Sequence, residues 1–201
     1  MNWPGLLLQL APEAHPNVVE AFQSADTAFA DFKVNTPLLQ AHALAQASHE
    51  TGGFRRIEEN LNYSADGLMA TWSSRFPEDV AKKLARNPEA IANRAYSGRM
   101  GNTQPGDGWR YRGRGIFQLT GRANYASMGR LAQIPLEAQP ELALASRYLL
   151  PVALHYWNSR GLSALAERDD LEGITRKING GLNGLEDRAR WLARWKDALC
   201  V

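Results

Sequence analysis

Ser48-His49-Glu50-Thr51-Gly52-Gly53-Phe54 sets a carboxylic acid against a pair of glycines, and two further acids, Glu58 and Glu59, follow shortly after. Two carboxyl groups on opposite lips of a cleft are what glycosidic bond hydrolysis requires, one protonating the departing oxygen while the other acts from the far face of the sugar. Flat side chains on which sugar rings can lie are also present, in Trp72, Tyr96, Trp109 and Tyr111. The combination points to a hydrolase of sugar chains, with Glu58 and Glu59 competing for the second role.

Other chemistries fit less well. His49-Glu50 begins like the zinc-protease signature, but Gly53 stands where the second histidine is required. His15, His42 and His155 add no cluster with ligand spacing, so no metal is expected. Gly113-Arg114-Gly115 lacks the third glycine of a dinucleotide fingerprint and reads as a close backbone approach. Cys200, the lone cysteine, excludes an internal disulfide and has no evident base, and Ser48 lies outside any nucleophile-elbow sequence.

Composition bounds the rest. With 44% hydrophobic and 22% charged residues, the 201-residue chain resembles an ordinary folded domain. The formal net charge is only +2, and basic residues alternate with acidic ones except near the C-terminus, so no nucleic-acid partner is expected. Leu6-Leu7-Leu8 is too short for a signal-peptide core, which predicts synthesis in the cytoplasm without a signal peptide.

The elements that must position the acids are mainly helical. Val18 to Phe32 reads as one amphipathic helix. Thr36 and Pro37 suit the cap and first turn of a helix that runs to Glu50 and exits at Gly52-Gly53, with small residues along it. Shorter helices are expected at Ser64–Trp72, Pro77–Arg86 and Pro88–Ala95, then a loop or small hairpin from Gly98 to Gly115, which holds six glycines and forms the cleft wall. Ile116 to Thr120 alternates as a short strand that sends Gln118 and Thr120 to one face. Helices follow at Asn124–Ala132, Pro140–Arg160, Leu171–Asn179 and Leu185–Leu199.

On that last helix Leu185, Ala189, Leu192 and Leu199 form the inward stripe and Arg188 falls beside it, where a guanidinium needs an acid; Glu50 or Glu59 is the expected partner. The same helix carries Arg190, Arg194, Lys196, Trp191 and Trp195, which suggests a weak contact with anionic envelope lipids.

Ala45 to Phe54 resembles the catalytic-acid motif of glycoside hydrolase family 19. In the same order, Tyr111 to Gly121 is similar to that family's substrate-cleft segment, Asn124-Tyr125 to its following motif and Ile178 to Gly181 to its late cleft turn. Glu59 to Ser64, Glu-Asn-Leu-Asn-Tyr-Ser, resembles the compact endolysin branch of bacteriophages and prophages.

The resemblance implies a lysozyme-like, two-lobed helical fold with a small β-hairpin along the cleft. It further implies an inverting cut of β-1,4 bonds in peptidoglycan and no cofactor. Glu50 becomes the general acid, Glu59 the base and Thr120 the holder of the attacking water. Gln118, Asn124, Tyr125, Asn179, Tyr96 and Trp109 become sugar contacts, with Arg188 and His49 in support. Residues 1–201 are then one catalytic domain without a separate wall-binding domain, a monomer that reaches the wall by holin-assisted release. A chitinase, or a silent wall-binding module, are the alternatives.

Overall fold

The computed structural model describes residues 1–201, and its regular structure is almost wholly helical. In chain order the α-helices are α1 (Trp3–Leu10), α2 (Pro16–Ala21), α3 (Ala25–Asp31), α4 (Pro37–Thr51), α5 (Ala65–Thr71), α6 (Glu78–Leu84), α7 (Pro88–Tyr96), α8 (Asp107–Arg110), α9 (Arg122–Ala132), α10 (Ser146–Ser159), α11 (Ser163–Ala166), α12 (Leu171–Asn179) and α13 (Leu185–Ala198). The chain divides into two compact units. The first comprises Met1–Ile57, Gly115–Phe117 and Ala143–Val201, and the second Glu58–Arg114 and Gln118–Leu142.

In the first unit α4 is the central support. The Thr36 hydroxyl accepts the Leu39 N–H at 3.3 Å, Pro37 opens the helix, and Gly52 closes it at φ 61°, a left-handed conformation that glycine adopts without a Cβ clash. Ala41, Ala43, Ala45 and Ala47 are buried on more than one face of α4, Ala43 and Ala47 against Phe29, Leu150 and Leu154, and α13 packs along the helix. Trp195 of α13 is fully buried and donates its indole N–H to the Ser48 hydroxyl at 2.9 Å, which satisfies a polar edge inside the core. Phe22, Phe29, Phe54 and Trp157 join it there, and each large apolar side chain so removed from water contributes about 1.5–3 kcal/mol.

Two expected helices are broken. The apolar stripe of Val18, Phe22, Ala25 and Phe29 is buried as the periodicity requires, but a 3-10 turn at Phe22–Ser24 separates α2 from α3. Ser24 leaves helical geometry at φ −104° and ψ 14°, and its hydroxyl donates to the Ala21 carbonyl at 3.1 Å, competing with the helix ladder. Likewise Pro140–Leu144 is a 3-10 turn, and extended Ala145 separates it from α10.

The second unit has its own core of Leu61, Leu68, Phe76, Ile91, Ala92 and Ala95, with Trp72 wedged between Tyr63 and Phe76 at ring separations of 5.2 and 5.8 Å. Ser64 and Asn87 cap α5 and α7 through their side-chain oxygens. Gly108 lets α8 sit against α7, since a Cβ there would lie 2.4 Å from the Ala92 carbonyl.

No extended strand forms at Ile116–Thr120. Gly115 at φ 79° and Gln118 at φ 48° turn the backbone instead, and the expected hairpin is reduced to two antiparallel bridges, Glu58 with Arg114 and Arg114 with Leu119. The backbone pair Arg114–Leu119 exchanges both hydrogen bonds, at 3.1 and 2.8 Å.

Candidate active site

In the first unit, Glu50 projects near the C-terminal end of α4. Its Oε1 lies 2.5 Å from Nη2 of Arg188, while Nη1 of the same guanidinium donates to the Gln46 carboxamide oxygen. Arg188 is 1% exposed, so of the two acids proposed for it Glu50 is the partner. The buried stripe of α13 is Arg188, Leu192, Trp195 and Leu199, whereas Ala189, expected inward, is exposed; the guanidinium sits on the stripe rather than beside it.

His49 serves a different contact. Its Nδ1 lies 2.7 Å from Oδ2 of Asp187 in the first turn of α13. Burial alone would raise the Asp187 carboxyl, but hydrogen bonds from His49 and Arg190 hold it below the ordinary carboxylate value. Gly184 makes this junction possible, because a Cβ there would meet the His49 ring at 2.3 Å. Asn179 ends α12 exposed to solvent, followed by left-handed Gly180.

In the second unit, the Glu59 carboxylate accepts two hydrogen bonds of 2.6 Å, from the Tyr96 hydroxyl on one oxygen and from the Gly113 backbone N–H on the other. Burial, and then the Glu59 carboxylate, push the Tyr96 phenol far above its ordinary value, so it remains a proton donor to Glu59 throughout the usable pH range. Gly113 lies at a focus of polar groups. A Cβ on it would be 2.6 Å from Gln118 Oε1, 3.1 Å from Thr120 Oγ1 and 3.4 Å from the Glu59 carboxyl carbon. Gln118 and Thr120 therefore do face the same way, brought there by a turn instead of a strand. Asn124 adjoins them, donating its amide to the Thr120 carbonyl at 2.7 Å.

Glu58 is occupied otherwise. Its Oε1 pairs with Arg112 at 2.7 Å and with Arg114 at 2.9 Å, and Arg114 is buried. A carboxylate held by two guanidiniums is tied to the backbone turn it stabilises.

One expected sugar contact is corrected by the structure, and the surroundings of two other expected contacts narrow what they can do. Tyr125 is fully buried, its hydroxyl donating to the Arg112 carbonyl at 2.7 Å and accepting from Arg114, so it braces the Arg112–Arg114 segment and cannot touch a sugar. Burial pushes its phenol up to about 12 against the pull of Arg114. Trp109 is half-buried with the Arg112 guanidinium over its ring at 3.7 Å, which removes one face from sugar stacking. On α13, buried Trp195 is out of reach of any lipid, and Arg194 lies over the Trp191 ring at 4.3 Å.

Gln46 and Gly113 were not among the expected site residues. Gln46 stands four residues before Glu50 on the same helical face, a spacing that could have marked it; Gly113 carried a local signal in the close backbone approach read at Gly113-Arg114-Gly115, though without a role in the site.

No protein-family model matches the chain. A glycosyl hydrolase family 19 domain-containing protein of Haemophilus influenzae is 46% identical over 155 residues, 75% of either chain. An endochitinase of Arabidopsis thaliana is 29% identical over 164 residues, covering 81% of this chain but only 47% of the plant protein. Among solved structures, chitinase C from Streptomyces griseus superposes over 98% of this chain and 76% of its own, with a TM-score of 0.66 at 23% identity. A bacterial family 19 chitinase superposes over 98% of this chain and 94% of its own, with a TM-score of 0.65 at 21% identity. These likenesses give the fold as the lysozyme-like helical architecture of the family 19 enzymes. Close identity over most of a curated relative, together with that fold, shows that the chain belongs to glycoside hydrolase family 19.

Proposed function

We propose that this glycoside hydrolase cuts β-1,4 bonds in the glycan strands of bacterial peptidoglycan with inversion at the anomeric carbon, Glu50 acting as general acid and Glu59 as general base. The observation that carries the reading is the gathering of Glu59, Gln118 and Thr120 about Gly113, which sets a carboxylate, an amide and a hydroxyl around one backbone position. Such a group can orient a water and take its proton. Tyr96 and the Gly113 N–H, each donating to Glu59, hold the carboxylate in the orientation a base needs.

Glu50 carries the complementary role. As its proton passes to the glycosidic oxygen, negative charge grows on the carboxyl, and the Arg188 guanidinium already stands 2.5 Å away to meet it. A donor fixed before the reaction stabilises that charge without reorganisation at the moment of transfer. Gln118, Asn124 and exposed Asn179 supply amides for the N-acetyl and hydroxyl groups of the sugars. By its resemblance in Glu59 to Ser64, the enzyme works as an endolysin, one catalytic domain released to the wall with the aid of a holin.

Chitin is the second reading, favoured by the relatives that are themselves named chitinases and endochitinases. Purified protein offered both bacterial sacculi and chitin oligosaccharides decides the matter. Loss of sacculus turbidity, with new reducing ends by mass spectrometry and an α-anomer as first product by NMR, is expected. Release from chitin alone refutes the peptidoglycan reading, and a β-anomer refutes inversion.

A further inference from the structure

The second unit carries a groove of about 880 Å³ that is lined by Tyr111 but by neither acid and none of the amides of the candidate site. Its walls bring together Arg110, Arg122 and Arg130 with Asp107 and Glu137, over an apolar floor that includes Ile134. The charges do not cancel. Arg122 takes both acids, Glu137 at 2.9 Å and Asp107 at 3.7 Å. Asp107 is buried and also accepts the N–H groups of Thr103 and Gln104. Arg110 donates only to the Ala138 carbonyl, at 2.8 Å, with its guanidinium over the Tyr111 ring at 5.6 Å. Arg130 is exposed and forms no ion pair. Two guanidiniums thus face the groove without a carboxylate, which makes it a site for an anion attached to something partly apolar.

We infer that this groove binds the carboxylate-bearing stem peptides of peptidoglycan, with Arg110 and Arg130 on the carboxylates and the apolar floor against alanyl methyl groups. The inference rests on the peptidoglycan reading and names the part of that substrate which chitin, a neutral polymer, lacks. Reach is sufficient. Asn124 and the groove-lining Arg122 and Ala126 occupy different faces of α9. Asn124 and the groove-lining Arg130 are both exposed on α9, six residues and so about 9 Å apart along its axis, and four extended residues span roughly 13–14 Å, so a stem on a sugar held at Asn124 follows the exposed side of α9 to the Arg130 guanidinium. The enzyme would then discriminate by what hangs from the glycan as well as by the glycan itself.

The test uses the full chain and two probes. Stem tetrapeptide released from sacculi by an amidase is titrated in while backbone NMR follows Ala126, Arg130 and Ile134. Saturable shifts are expected there, with affinity lost by at least about tenfold in Arg130→Glu and weakened by salt. Turnover is then compared on intact glycan and on glycan stripped of its stems. A KM lower by about tenfold on the intact strands, at similar kcat, is expected for wild type and is erased by Arg130→Glu. Arg110→Gln, which keeps a donor for the Ala138 carbonyl, serves as the second variant and should weaken the peptide too. Absence of shifts in the groove, or peptide affinity unchanged in both variants, overturns the groove while leaving peptidoglycan as substrate. Turnover of chitin with none of either wall glycan overturns the peptidoglycan reading and the inference built on it.

Discussion

The Arg188 guanidinium is sealed inside the first unit, and the Glu50 carboxylate 2.5 Å from its Nη2 is the single anion it meets. The pair has unequal exposure, the Glu50 side chain being 25% accessible and that of Arg188 2%. The charge that cannot reach water is therefore the guanidinium, and the consequences of altering either residue differ.

Glu50→Gln keeps a carbonyl oxygen for Arg188 and should cost about 1–3 kcal/mol, the worth of a charged hydrogen bond. Glu50→Leu leaves the buried cation with the neutral Gln46 carboxamide and no anion, and should cost about 3–5 kcal/mol. Both should lower kcat by at least about 100-fold, since neither can donate a proton. Denaturant melts alongside initial rates check this; equal stability of the two variants would sink the assignment of Arg188 as a buried charge that depends on Glu50 for compensation.

Glu59 and Glu58 should separate cleanly. Glu59→Gln is expected to lose at least about 100-fold in kcat with little change in melting. Glu58→Gln should instead lose about 1–2 kcal/mol of stability through its bonds to Arg112 and Arg114, with kcat within about tenfold of wild type. The reverse pattern would transfer the role of base to Glu58.

Gly113→Ala probes the focus in the second unit. The backbone there needs no left-handed conformation, so the added methyl acts only by contact, against Gln118 Oε1 first and Thr120 Oγ1 next. Misplacing such groups by about 1 Å can cost on the order of 100-fold in rate. A loss of more than about tenfold in kcat, with Tm nearly kept, is the expected result, and an alanine variant of full activity would remove Gln118 and Thr120 from the site.

Stability should fall on mild acidification. Burial depresses the His42 pKa below its ordinary 6.5 despite the hydrogen bond from its Nε2 side to Asp169 at 2.6 Å, and Nδ1 lies buried without a partner. A depressed folded value means that the unfolded chain binds the extra proton first, so stability is full above about 6.5 and declines as pH drops through and below it. Half-buried His155 is depressed by the same cause and adds in the same direction. Asp169, lowered by its hydrogen bond to Lys196 and then by His42, contributes a second loss as pH falls below 3.8. Tm measured from pH 8 to pH 5 should drop, and His42→Gln should flatten the curve; a wild-type Tm that rises over this range contradicts the assignment.

Much of this was readable beforehand where the signal is local. Thr36, Pro37 and Gly52 bound α4 by the chemistry of their own backbones, and Leu171–Asn179 matches α12 residue for residue. Arg188 was legible because a charge at the edge of an apolar stripe demands an acid. Elsewhere the deciding partner lies far along the chain. Alternation at Ile116–Thr120 suits a strand, yet Ile116 is buried in the first unit's core and Gln118 turns back toward Gly113. Tyr125 follows Asn124 in a segment expected to meet sugar, but its hydroxyl turns inward to the Arg112 carbonyl. Short-range patterning could not distinguish an aromatic that meets ligand from one that satisfies a distant backbone group.

Glu50 and Arg188 are separated by 138 residues of chain. During translation the carboxyl emerges long before the guanidinium that orients it, and the alanine-rich flank of α4 waits equally long for α13 to cover it. A nascent or truncated polypeptide ending before Arg188 thus holds both acids but lacks the guanidinium that fixes Glu50. Fragments that end before Arg188 should be inert on glycan, because the start of α13 must fold onto α4 before the Glu50 carboxyl is held.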